Sequence, residues 1–502
     1  MNPGREPRGA SRPSDAVEKA LDWSVNGLAD EFPELSMKRT LTRRQQVGSV
    51  TAVVVMAIAA IVWPVGFGIT VMASMIVLYS SMLAFRVWLM WQRDERDPTL
   101  LIDDAETFSF QDHKLPSFSV LVPAYDEPEV LAVLLHHLDA LDYPRDRLEI
   151  LLVLEADDTA TLDALADHEL PEHFTIVEVP PCEPRTKPKA CNYALQFCSG
   201  DIVTIYDAED RPEPLQLRRV ALAFRRSSDD VACIQCELSF YNGDENLITR
   251  WFLIDYRIWF TQFLPGLAAS NTPIPLGGTS NHVRRDVLLE MGGWDPFNVT
   301  EDADLGVRLH RRGHRVGLVD SVTYEEANTD FVNWVKQRSR WYKGYLQTWL
   351  VHMREPGLLI REAGIGGFLR FNLFVGGTPV IAALNPVMWA MLVLWFVVEP
   401  SWIESIMPGL VYFVGLASWV VGNFVFYYLN LAAAYDTGRR GVFRAALLLP
   451  LYWVMMSLAA VKAVWQLIVN PNYWEKTVHG LSSVATADRD RSTSVSAAGV
   501  DT

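Results

Sequence analysis

The sequence predicts an α/β domain set between α-helical transmembrane hairpins. Three observations predict it: half of the 502 residues are hydrophobic, long uncharged runs lie towards both ends, and short apolar strings alternate with helical patterns between them. A chain of this length holds one sizeable domain and several spans. The formal charge of −16 excludes a general nucleic-acid binder, which must neutralise phosphates with Lys and Arg. Any anionic ligand therefore has to meet a locally basic site.

Residues 47–85 carry no charged side chain. A crossing needs about 20 apolar residues, so this run accommodates two helices that turn near Pro64, Gly66 and Gly68, and it is too long for a signal peptide. The runs 371–398 and 405–435 are also uncharged and read as a second hairpin, separated by a segment with Glu399 and Glu404 but no Lys or Arg. Lys38, Arg39, Arg43 and Arg44 precede the first span, Arg86 and Arg93 end the second, and Arg439, Arg440 and Arg444 follow the fourth. All these basic clusters fall on one side, which the positive-inside rule makes the cytosol. The expected location is thus the cell membrane, multi-pass, with the middle domain cytosolic. A transporter would carry ionisable groups within its spans, and these four runs carry none.

The stretch 441–469 is interrupted by Pro450 and Lys462, and a lysine near a bilayer centre is costly. It reads as an interfacial or re-entrant segment, with a fifth crossing as the alternative. The first 35 residues and the last 20 are polar and rich in Ser, Pro, Arg and Asp, so most of them are expected to be disordered, apart from a short amphipathic helix around Ala16–Leu28. The expected organisation is a cytosolic segment 1–46, a hairpin 47–91, a linker 92–114, an α/β domain 115–330, interfacial helices 331–370, a hairpin 371–435, the hydrophobic segment 441–469 and a tail 470–502.

From residue 117 onward SFSVLVP, EILLVLE, TIVEV and DIVTIYD read as strands separated by helices from 128, near 158–167 and near 188–198. Such alternation implies a parallel sheet covered by helices, with ligands at the carboxyl ends of the strands. Acidic clusters stand at those ends: Asp126 and Glu127 after the first strand, Glu155, Asp157 and Asp158 after the second, Asp207, Glu209 and Asp210 after the fourth. Helix capping is the commonest use of Asp at such junctions. Asp207-Ala208-Glu209-Asp210 is also suited to one divalent cation, since Mg²⁺ is usually held by one or two carboxylates plus substrate phosphates. Arg185, Lys187 and Lys189 lie just upstream and suit a diphosphate. The five cysteines cluster in the middle of the chain and suggest a reducing compartment; Cys233 and Cys236 sit in the strand-like VACIQCEL, without the second pair that a zinc site needs.

PAYDE at 123–127, KPKACNYAL at 187–195, DAED at 207–210, GGTS at 277–280, Thr300-Glu301-Asp302 and QRSRW at 337–341 together resemble the family-2 inverting glycosyltransferases, in particular the cellulose-synthase-like and hyaluronan-synthase-like membrane enzymes. The resemblance spans roughly residues 116–345. It implies a GT-A-like nucleotide-sugar transferase fold and a nucleotide-diphosphate sugar, a UDP-sugar in most of the family, as donor. Ala124, Tyr125 and Glu127 are then nucleoside contacts, and Glu155 stands where the family usually has a base-reading Asp. Lys189 matches the family's diphosphate Lys, and Asp207 with Glu209 matches its D-x-D site for Mg²⁺ or Mn²⁺. Asp302 matches the general base, preceded by Glu301. Gln337, Arg340 and Trp341 match Q-x-x-R-W, which with Glu301 and Gly278 is expected near the acceptor, Arg340 also pairing with diphosphate. Trp474, Lys476, Thr477 and His479 resemble the gating loop.

The resemblance further implies a growing polysaccharide as acceptor, with a single lipid such as diacylglycerol as the alternative. Without the other motifs, Arg340 and Trp341 would read as membrane-surface anchors of an amphipathic helix. Trp251, Phe252, Tyr256, Trp259, Phe260 and Phe263 read first as interfacial packing and second as acceptor contacts.

Overall fold

In a computed structural model, residues 14–128, 131–166, 168–477, 480 and 482–484 are described. One sheet organises the middle of the chain. Its strands are β1 (Thr99–Leu100), β2 (Phe118–Ala124), β3 (Leu148–Glu155), β4 (Phe174–Val179), β5 (Ile202–Ile205), β6 (Arg211–Pro212), β7 (Val231–Phe240), β8 (Asn281–Arg284) and β9 (Arg315–Glu325). Their order is β1-β9-β7-β8-β5-β2-β3-β4, with β6 paired to β9. The central strands β2, β3 and β5 are buried along nearly their whole length because both faces are covered, as in parallel sheets generally. Leu121, Leu151 and Val153 enter one core, while Phe118, Val120, Val122 and Ile150 enter the other.

The sheet is mixed rather than parallel, which corrects the expectation. β8 runs antiparallel to both β5 and β7, and β6 antiparallel to β9. The alternating pattern predicts parallel neighbours only for β2 to β5; β8 arrives from a long helical excursion, and no local signal fixes its direction. Cys233 and Cys236 lie on β7 with buried, free thiols, one in each core.

Around the short helix expected at Ala16–Leu28, the chain forms the somewhat longer helix Ser14–Glu31. Ala20 and Leu28 are buried, and Asn192 Nδ2 donates to Ser24 O at 3.2 Å. The following segment is tied to the domain as well: Arg354 donates to the carbonyls of Pro33, Glu34 and Ser36.

Among the described residues, five helices are long and apolar enough to cross a membrane: Arg43–Val62, Pro64–Arg96, Pro356–Val397, Gly409–Asp436 and Leu449–Val469. Large apolar side chains such as Val62, Phe424 and Ile468 are more than 70% exposed on them, a surface that calls for lipid. Gly266, in Leu264–Ala269, sits so near the helix Pro64–Arg96 that an added Cβ would lie 2.2 Å from Leu89 O. Only a glycine permits that approach, which presses the domain onto the helix carrying Arg86.

The last of the five differs in its neighbours. It runs beside the helix Phe331–His352, with Tyr452 5.1 Å from Trp334 and, just past its end, Pro471 O accepting from Gln347 Nε2 at 2.9 Å. Both ends therefore touch the α/β domain.

Candidate active site

A cavity of about 940 Å³ opens at the carboxyl ends of β2, β3 and β5. Sheet geometry places its polar floor. β2 ends at Ala124, and the chain then turns through Asp126, whose φ of 56° is tolerated by a short polar side chain and whose N–H donates to Asp158 Oδ2 at 2.6 Å. Ala124, Tyr125 and Glu127 line the cavity as a result. β3 delivers Glu155, and the turn after β5 delivers Asp207 and Glu209. That turn is held from beneath by buried Asp210, which accepts from Asp207 N at 2.8 Å and from the Thr279 hydroxyl.

Asp302 lies in the first turn of Glu301–Arg311 and faces the same cavity. Its Oδ1 accepts from Ala303 N at 2.7 Å, and a Cβ on Gly278 would lie 3.3 Å from its Oδ2. Lys187 links the two acidic groups, contacting Asp207 Oδ1 and donating to Gly278 O at 3.1 Å. Burial alone would lower the Lys187 pKa, but Asp207 and Glu301 outweigh it and hold the ammonium charged. Burial pushes Asp302 up to about 6 and Glu301 up to about 8, the latter with help from Asp302. Asp302 is thus poised near neutrality, where a general base works best.

Gln337, Arg340 and Trp341 line the cavity from the helix Phe331–His352. The charges that act on Arg340 are Glu301, Asp207, Asp302 and Glu209, which places it over the acidic floor. Trp341 packs against Phe252 and Tyr256 at 5.7 and 6.1 Å, an aromatic wall suited to a sugar face. Gln337 accepts from Asn328 Nδ2 at 2.8 Å. Trp474, Lys476 and Thr477 close the cavity from the tail. Arg340 stacks on Trp474 at 4.9 Å, and Lys476 Nζ donates to Tyr125 O at 2.8 Å. His479 lies outside the described residues.

One candidate falls elsewhere. Lys189, expected at the diphosphate, is fully buried and absent from the cavity wall; its ammonium binds Glu155 Oε1 at 2.6 Å. It supports Glu155, whose Oε2 has no partner among the described residues, and of the two lysines it is Lys187 that lines the cavity. Both lysines open the helix Lys187–Leu195, and positions two apart on a helix point to different sides. Sequence reading also missed Glu325, at the end of β9 and in the cavity wall. The signal was there, an acidic pair ending an apolar string, but that string was not read as a strand.

The residues fit a divalent cation. Asp207 and Glu209 face the cavity together, and a third carboxylate, Glu325, is pushed up to about 8 by burial and then by Glu209 and Asp207. Among the described residues no three His, Cys, Asp or Glu side chains converge as a complete ligand set, so a bound ion would need substrate oxygens and water as well.

Residues 116–344 match the family model described as glycosyltransferase like family 2. The chain is similar to a probable glycosyltransferase, YdaM, of Bacillus subtilis, 28% identical over 46% of this chain and 56% of that protein. It is also similar to a beta-monoglucosyldiacylglycerol synthase of Synechocystis, 30% identical over 53% of this chain and 54% of that protein. The chain spans about half the length of the curated relatives it matches. Among solved structures, a mannosyltransferase of Pyrobaculum calidifontis in complex with GDP-Man and Mn²⁺ aligns at 19% identity and a TM-score of 0.49, covering 80% of this chain and 99% of that one.

Proposed function

We propose that the chain transfers a sugar, with inversion, from a nucleoside-diphosphate donor to a hydroxyl of a membrane lipid. One observation carries this reading: the cavity that holds Asp207 and Asp302 continues between the apolar helices, past Met72 and Ile76 on one and Met388 and Trp395 on another. Met72 and Arg86 are about 21 Å apart along the helix at 1.5 Å per residue, more than half of a ~30 Å hydrocarbon core. A lipid tail fits such an apolar shaft, with its head brought to the carboxylates. Similarity to diacylglycerol glucosylation enzymes over about half the chain supports the same acceptor class.

Tyr125 is the stacking surface for the base, and the free Oε2 of Glu155 accepts a base N–H. Lys187 and Arg340 hold the diphosphate. Asp207 and Glu209 would hold Mg²⁺ or Mn²⁺, which supplies Lewis-acid neutralisation of the departing diphosphate. Asp302 takes the proton of the acceptor hydroxyl as its oxygen bonds to the anomeric carbon. The bond from that carbon to the diphosphate oxygen breaks on the opposite face, and its electron pair leaves with the nucleoside diphosphate. Lys476 and Trp474 cover the donor and exclude water.

The aromatic wall at Trp341 favours a second reading, extension of a polysaccharide chain. The two separate cleanly by product. Purified protein in nanodiscs is incubated with diacylglycerol, Mg²⁺ or Mn²⁺ and a panel of labelled nucleotide sugars. A chloroform-soluble glycoside is expected; label found only in a water-soluble polymer would overturn the lipid reading.

In this arrangement four helices cross, and Leu449–Val469 lies along the membrane face of the domain. The domain faces the cytosol, where the basic clusters lie.

A further inference from the structure

Resting on the lipid-acceptor reading, we propose that Arg86 marks an anion subsite for the acceptor, a phosphodiester lipid with a hydroxylated headgroup. Arg86 lines the cavity from Pro64–Arg96, near the end of that helix where the domain docks. Its guanidinium stacks on Phe426 at 4.5 Å and on Phe263 at 5.7 Å. Rings on its faces leave the in-plane N–H groups as the free donors, and Arg86 Nε has no hydrogen-bond partner among the described residues. An arginine anchoring a protein at the bilayer surface reaches outward to phosphates and water; this one packs between two rings in the cavity wall.

A second orphan stands beside it. Tyr342 is 4% exposed, lines the cavity, faces Arg86 electrostatically and leaves its hydroxyl without a partner among the described residues. Buried donors without acceptors are costly, and two facing one cavity define where an oxyanion belongs.

The subsite is distinct from the diphosphate pocket. The groups that act on Arg86 are Tyr342 and Asp255, whereas those acting on Arg340 are the carboxylates of the reacting centre. Asp255 already holds Arg338, so Arg86 gains no ion pair from it. Tyr345, one turn beyond Tyr342, lines the same wall and senses Asp302. Asp302, Tyr345, Tyr342 and Arg86 thus line one continuous cavity with the apolar shaft, and we place the phosphodiester between the base and the shaft. A lipid with acyl tails, a phosphodiester and a terminal hydroxyl presents its groups in the order this placement needs. The carboxylate base at the far end calls for an alcohol as the reacting group, so the phosphate is held rather than glycosylated.

The test is retention of lipid by the full-length protein in native mass spectrometry, with dioleoyl phosphatidylglycerol and dioleoylglycerol as matched probes and soluble glycerol phosphate as a third. Wild type is expected to retain phosphatidylglycerol over dioleoylglycerol. Arg86→Met should cut that ratio about tenfold or more, the scale of a charge-assisted contact, and Arg86→Lys should fall between. If Arg86→Met does not fold, Arg86→Lys carries the comparison, because losing the planar fork alone weakens phosphate binding. A ratio unchanged in both variants overturns the proposal. Equal retention of soluble glycerol phosphate by wild type overturns the lipid source of the anion. Retention of dioleoylglycerol alone refutes the subsite and leaves the lipid reading standing; retention of neither lipid removes both.

Discussion

Asp302→Asn is expected to make the protein more stable and inactive. In the fold the Asp302 carboxyl is pushed up to about 6 by burial, from an ordinary value of 3.8. A raised carboxyl binds its proton more tightly folded than unfolded, so this stabilisation is complete below pH ~4 and is lost as pH rises through about 6. At pH 7 the wild type carries the whole cost, about two pH units at about 1.4 kcal/mol each, or roughly 3 kcal/mol. Asparagine is nearly isosteric, keeps the acceptor for Ala303 N and carries no charge, so it escapes that cost. For a domain of this size about 2–4 °C accompanies each kcal/mol, so the variant should melt several degrees higher at pH 7 in detergent with EDTA. The advantage should vanish by pH ~4. Sugar transfer should fall by about 10²–10⁴-fold, the share of a general base, and the wild-type kcat/KM should decline below pH ~6 as the base is protonated. A variant that melts lower at pH 7, or retains transfer, refutes the assignment of Asp302 as a buried, charged base.

Two further outcomes follow from packing. At Gly344 an added Cβ would lie 2.2 Å from Thr300 Oγ1, so Gly344→Ala should displace the turn before Asp302 and lower kcat by tenfold or more, roughly the cost of misplacing reacting groups by about 1 Å, with nucleotide affinity, read by titration calorimetry, changed far less. A cysteine placed at Ser483 should stay unlabelled by an impermeant maleimide applied to intact cells, while one at Ser401 is labelled; labelling at Ser483 would show that Leu449–Val469 crosses the bilayer.

The strands that build the donor side were legible because each is an apolar string ending in a cluster of Asp and Glu, and pattern alone sets the carboxyl ends side by side. What sequence could not give was non-local. Whether Lys187 or Lys189 faces the cavity depends on the rotation of one helix against β3. Glu325 is brought beside Asp207 by β9, a strand separated from it by more than a hundred residues. The helix Ser14–Glu31 was legible around Ala16–Leu28, but its docking was not, since that depends on other segments, including Asn192, which bonds Ser24 O. Arg86 read as a charge ending a span, because nothing local distinguishes a guanidinium facing lipid headgroups from one facing a cavity.

In the proposed reaction, the helix Phe331–His352 keeps donor and acceptor in register. Gln337, Arg340 and Trp341 look onto the reacting centre, while Tyr342 and Tyr345 look into the shaft. Another face holds the covering segment: Lys343 bonds Tyr473 O, and Gln347 bonds Pro471 O. Lys462, on the helix packed alongside, bonds Glu475 at 2.7 Å, so the cover is fastened from two sides. Gly344 meanwhile sets the helix directly against Thr300, the residue that precedes the Glu301–Arg311 helix and its base. Three functions that must agree in space, closing over the donor, seating the acceptor and aiming Asp302, are thus read from one rigid rod rather than from three loops. Side chains fixed on one helix hold their spacing far better than groups on separate loops, and reacting atoms need that accuracy for a hydroxyl delivered from the membrane to meet an anomeric carbon delivered from water.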